Sequence, residues 1–167
     1  MCGGVKYRHG DRTVTTYFPN PGAALPVLRR DGKHELLPWG RREEHDRRDA
    51  GGRATPGAVA EEGVLPPGGW ARLDSIKSGK WERYEPVPVR LDVESFMEKD
   101  RAGTSHWYRL ETGQWIQGLI ATRGEEQRVY VVTIVPTEET QRAIHNRWPR
   151  IVTQARTPET SRPGEFA

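Results

Sequence analysis

Apolar and β-branched residues alternate with polar ones, or gather in short runs, over Thr13–Phe18, Ala24–Arg30, His34–Trp39, Val87–Val93, His106–Leu110, Trp115–Thr122 and Arg128–Val135. A two-residue period over such lengths is the mark of strands packed on at least one face, so strands dominate the expected fold. Helix signals are few. Asp74 and Ser75 can cap a short helix running through about Trp81, and Thr137, with Glu138 and Glu139 in the first turn, opens another toward Ile144. Pro149 disfavours helix at Trp148, so that second helix ends before it. The pattern is that of a β-rich α+β domain with short accessory helices.

Between Arg41 and Gly69 the periodicity stops. Mixed charge (Arg41 through Arg48) gives way to Gly, Ala and Pro, ending in Pro66-Pro67-Gly68-Gly69, which reads as a long solvated loop. The residues after Val152 are polar with two prolines, so one folded unit over 2–152 and a disordered tail over 153–167 are expected.

Composition narrows this picture only slightly. The chain has 167 residues, 34% hydrophobic and 29% charged, enough for one domain with a modest core. It lacks an apolar stretch near the roughly 20 residues that span a bilayer and has no leader-like N-terminus, so a cytoplasmic monomer without membrane contact is expected. A single cysteine excludes an internal disulfide, and neither a structural metal nor a cofactor is expected. The net charge of +3 and pI of about 9.2 permit a polyanionic partner without requiring one.

That one cysteine is Cys2, in Met1-Cys2-Gly3-Gly4. Removal of an initiator methionine ahead of so small a side chain would leave an α-amine and a thiol on adjacent carbons. Such groups ordinarily titrate at about 7.7–8.0 and about 8.5, so both are partly nucleophilic near neutrality. Together they can take an aldehyde through an imine to a thiazolidine. Glu98, in Ser95-Phe96-Met97-Glu98-Lys99-Asp100, follows two large apolar residues and is a candidate for proton transfer if buried, or a surface carboxylate if not. His145 and Arg147, in Ile144-His145-Asn146-Arg147-Trp148-Pro149, stand where the last helix ends; the histidine is either a reactive group or a complement to the helix dipole. A third segment, Trp70-Ala71-Arg72-Leu73-Asp74-Ser75, pairs an arginine with an aromatic residue.

In content and order these segments resemble the SOS response-associated peptidase (SRAP) family, over most of residues 2–152. The family's Met-Cys-Gly-Arg opening, early Trp-Gly pair, Gly-Phe-Tyr-Glu-Trp segment, Ala-Gly-Leu strand and Ile-His-Asp-Arg-Met-Pro segment are similar to Met1–Gly4, Trp39-Gly40, Ser95–Lys99, Gln117–Leu119 and Ile144–Pro149. Its Asn-Ala-Arg-Ala-Glu-Thr segment looks like Trp70–Ser75. At two positions the chain departs, with Trp70 where the family has an asparagine and Gly4 where it has a DNA-contacting arginine.

The resemblance implies twisted antiparallel sheets forming a partly open barrel, and a protein that captures abasic sites in single-stranded DNA. Cys2, Glu98 and His145 would then be catalytic, Arg147 and Arg72 would hold phosphates, and Trp70 or Trp39, the latter alternatively a core tryptophan, would stack on exposed bases. The peptidase activity of the family name would remove Met1. Two other readings remain open: a single-stranded-DNA-binding module without covalent chemistry, and an N-terminal-nucleophile glutamine amidotransferase-like hydrolase, which also begins Met-Cys-Gly.

Overall fold

The computed structural model of the protein describes residues 2–42 and 64–154. Most of the expected loop, and all but the first two residues of the expected tail, lie outside that range. In chain order the described strands are β1 (Cys2–His9), β2 (Arg12–Tyr17), β3 (Ala24–Leu28), β4 (His34–Pro38), β5 (Trp70–Arg72), β6 (Val87–Leu91), β7 (Ser95–Lys99), β8 (Ser105–Arg109), β9 (Gln114–Arg123), β10 (Glu126–Ile134), β11 (Trp148–Pro149) and β12 (Ile151–Thr153). Helix α1 spans Leu73–Lys77 and α2 spans Glu139–Ile144, with a 3-10 turn at Glu82–Tyr84.

The strands form two sheets, neither of them closed. One has the order β2-β1-β7-β8; the other runs β11-β10-β9-β6-β3-β4, with β5 on β10 and β12 on β9. Pairing is antiparallel except between β5 and β10. The apolar runs of β9 and β10 lack clean alternation because both of their faces are covered, as happens in a central strand. Ile116, Ile120, Val129 and Val131 face the core shared with Val5, Tyr7 and Phe96 of the smaller sheet. Leu119, Ala121, Tyr130 and Val132 face a second cluster that contains Leu65 and Trp81, flanked by Leu73 and Ile76 of α1.

Several boundaries depart from the sequence expectation. β1 was not foreseen, because only Val5 and Tyr7 alternate within a stretch containing two glycines, yet it lies in the middle of the smaller sheet. Ser95–Lys99, not among the expected strands, is an internal strand of the smaller sheet. The expected helix to Trp81 ends at Lys77, and Trp81 turns into the second core against Tyr130. At the other end the fold continues past Val152, since Thr153 pairs with Gln114.

Trp39 follows β4 and bridges to Val129 of β10. Gly40 has φ +55, and a Cβ there would lie 2.2 Å from the Gly68 carbonyl, so the Trp-Gly pair is a packing requirement of this junction.

Candidate active site

Gly4 pairs with Met97, which in a regular ladder would put Gly3 opposite Glu98. Instead the register shifts between Cys2 and Gly4, and Cys2 becomes the partner of Glu98. One extra residue on β1 is a β-bulge, a device that re-aims a strand end and recurs beside active sites. The row continues onto β8, where His106 is the next partner of Glu98.

Glu98 is fully buried. Burial disfavours its charged form and raises the carboxyl to about 7, while the positive amino terminus pulls the other way. A carboxyl poised there can both give and take a proton near neutrality. Its charge also reaches Tyr108, whose hydroxyl is raised first by burial and then by Glu98 and Asp100.

His145 caps α2 in an extended conformation (φ −154, ψ 153). Its Nδ1 accepts the Arg147 backbone N–H at 3.0 Å, so in the neutral ring the proton sits on Nε2. Burial lowers its pKa, and the charge of the amino terminus lowers it further. The amino terminus thus acts electrostatically on both Glu98 and His145, which lie 47 positions apart in the chain.

The segment is held in place by its neighbour. Trp148 is buried on β11, where it pairs with Ile134, and its ring meets Tyr108 edge-on at 5.0 Å and Phe96 at 5.4 Å. It therefore ties the larger sheet to the strand that carries Glu98. Arg147 is 9% exposed, and its Nη2 donates to the carbonyl and hydroxyl oxygens of Thr133 at 3.0 Å each. Its Nε is buried without a hydrogen-bond partner among the described residues. Arg72 is paired in register with the same Thr133, and Arg72 and Asp74 both act electrostatically on Arg147.

The residues expected to contact DNA are not arranged as an open basic track. Arg147 points into the protein. Arg72 is exposed but makes a two-point pair with Asp74, at 3.1 and 2.8 Å, which lowers the Asp74 carboxyl to about 2. Trp39 is corrected outright as a stacking residue: it is 2% exposed, and its indole N–H donates to the Gly69 carbonyl at 2.9 Å. Its apolar bulk was needed for the core. Trp70 is half-buried with its ring against Phe18 at 5.0 Å.

Sequence reasoning passed over His106 and Asp100. His106 Nε2 lies 2.8 Å from Asp100 Oδ2, and this interaction, with amides of the turn, lowers the Asp100 pKa. Both follow Glu98 closely in sequence or register, but only strand pairing reveals the Cys2–Glu98–His106 row. A separate open cleft of about 480 Å³, lined by Arg30, Arg90, Trp115 and Arg150 among others, contains none of the expected site residues. No group of metal-ligating side chains occurs among the described residues, and none of the described helices is long and apolar enough to cross a membrane. Comparison with protein-family models, with curated proteins and with solved structures returns no match.

Proposed function

We propose that this protein is an SRAP-like domain that captures the aldehyde of an abasic site in single-stranded DNA through Cys2, once Met1 has been removed by hydrolysis. The observation that carries the reading is the register pairing of Cys2 with a buried Glu98 whose carboxyl is raised to about 7. Removing Met1 moves the α-amine onto the residue opposite that carboxyl.

In the first step the amine of Cys2 attacks C1′ of the open-chain sugar, forming a carbinolamine. Glu98 takes a proton from the nitrogen and returns one to the hydroxyl, which leaves as water to give the imine. The thiolate then adds to the same carbon, the nitrogen is reprotonated, and a thiazolidine closes with net loss of one water. His145, donating from Nε2, assists opening of the sugar at its ring oxygen. Arg147, anchored on Thr133, holds the His145 segment in place for that step. Reversal uses the same proton transfers.

The test is incubation with single-stranded DNA containing one abasic site, followed by a denaturing gel and intact mass measurement. An adduct heavier than the protein by the strand less one water is expected. Binding without any denaturation-resistant product would refute covalent capture, and ammonia release from glutamine would point to an amidotransferase-like hydrolase.

A further inference from the structure

The face of the smaller sheet that points away from the core has a composition the capture chemistry does not use. Paired residues in an antiparallel sheet share a face, and so do alternate residues along each strand. Val5 and Phe96 point into the core. The opposite face therefore carries the rows Tyr17–Gly4–Met97–Trp107 and Thr15–Lys6–Ser95–Arg109, flanked by the pairs Thr13–Arg8 and Lys99–Ser105. Four of these twelve positions are cations and none is an acid. None of the four is in an ion pair among the described residues. Asp100, in the turn that follows β7, is engaged by His106 and by the amides of Ala102 and Thr104.

Two aromatic rings sit among these cations. Tyr17, 39% exposed, and Trp107 come from the outer strands of the sheet and meet edge-to-face at 6.2 Å. They can do so because of Gly4: a Cβ there would lie 2.9 Å from Tyr17 Cδ1, so the tyrosine ring occupies the space a side chain would take. Lys6 Nζ lies over the Trp107 ring, 4.2 Å from its centroid, so one face of the indole already carries a cation. Cations without acids favour an anionic partner, and an exposed Tyr17 beside a half-buried Trp107 suits the planar bases of a strand that is not base-paired. In one class of RNA-binding domain a four-stranded sheet stacks roughly two or three bases on such rings.

We propose that this outer face is a binding platform for single-stranded nucleic acid, with bases stacked on Tyr17 and against Trp107 and phosphates held by Lys6, Arg8, Lys99 and Arg109. It is separate from the Cys2–Glu98 row and does not depend on aldehyde capture.

The experiment uses fluorescence anisotropy of the full chain with labelled oligonucleotides free of abasic sites, as DNA, as RNA and as duplex DNA. Single strands of either sugar should bind more tightly than duplex, because a duplex hides its base faces. Combining Tyr17→Ala with Trp107→Ala should weaken single-strand binding by roughly 5- to 150-fold for each base that no longer stacks. Tyr17→Phe, which keeps the ring, should bind like the parent. Combining Arg8→Glu with Arg109→Glu, both exposed, should weaken binding and reduce the salt slope by about 0.7 for each phosphate no longer neutralised. Circular dichroism of each variant establishes that it is folded. Unchanged affinity in the folded charge-reversal variant, or duplex bound as well as single strand, would overturn the platform. Reaction of Cys2 with a small aldehyde, read by mass, is expected to survive these substitutions, so its failure would count against the capture reading alone.

Discussion

Cys2 is the cross-strand partner of Glu98 only because the ladder shifts by one residue between Cys2 and Gly4. That offset brings the residue with the nucleophile level with a carboxyl that burial has raised to about 7. If Glu98 moves the protons of imine formation, Glu98→Gln should slow adduct formation by about 10²- to 10⁴-fold. Affinity for an intact single strand should stay within about twofold of the parent, since the carboxyl lies on the buried side of the sheet. Single-turnover gels and anisotropy on the same preparation measure the two quantities. A parallel loss of both would make Glu98 structural.

The same carboxyl sets a stability profile. Its folded pKa, about 7, is above the unfolded value of about 4.5. The folded state therefore holds its proton more tightly across that interval, and the stabilisation, complete below about pH 4.5, is lost as pH rises to 7. The size is on the order of 3 kcal/mol. Glu98→Gln abolishes this titration, so thermal melts at pH 5 and pH 8 should differ less for the variant, by roughly 5–10 °C. An equal fall in both proteins would show that Glu98 does not titrate as its burial implies.

The β-rich character and most strands were legible because Ala24–Leu28, Gln114–Arg123 and Glu126–Ile134 carry their own apolar patterns. β1 was hidden, since Gly3 and Gly4 lower strand propensity while its burial comes from neighbours far along the chain. Cys2, Glu98 and His145 could be nominated from residue type and order. Their relation could not, because it depends on a bulge, on Trp148 packing between sheets and on the field of the amino terminus. Trp39 could be read as a stacking residue or as core for a related reason: nothing local to a Trp-Gly pair reveals that its indole closes a bond to Gly69.

Arg147 supplies a test of how its segment is held. Nη2 donates to both oxygens of Thr133, so Arg147→Ala removes charge-assisted bonds and should cost about 2–3 kcal/mol. Thr133→Val removes only the hydroxyl acceptor and should cost less, about 1 kcal/mol. In a double-mutant cycle the two changes should be coupled by at least about 0.5 kcal/mol. Additive effects measured by urea denaturation would mean that Arg147 is not anchored at Thr133.

The capture chemistry stands or falls on the amino terminus. While Met1 is present the α-amine belongs to Met1 and the nitrogen of Cys2 is an amide, which cannot form an imine. A thiazolidine at one residue then cannot close. Active protein should therefore lack Met1 in its intact mass, and a processing-resistant residue placed before Cys2 should eliminate the denaturation-resistant adduct. Cys2→Ala should also abolish the stable adduct, yet still give an imine that borohydride can trap, because its α-amine remains. Binding to an intact single strand should be the same in all three proteins, since the cations and rings of the outer sheet face are untouched by the change at the terminus. A normal yield of stable adduct from the blocked protein would refute the mechanism, whatever the affinity for DNA.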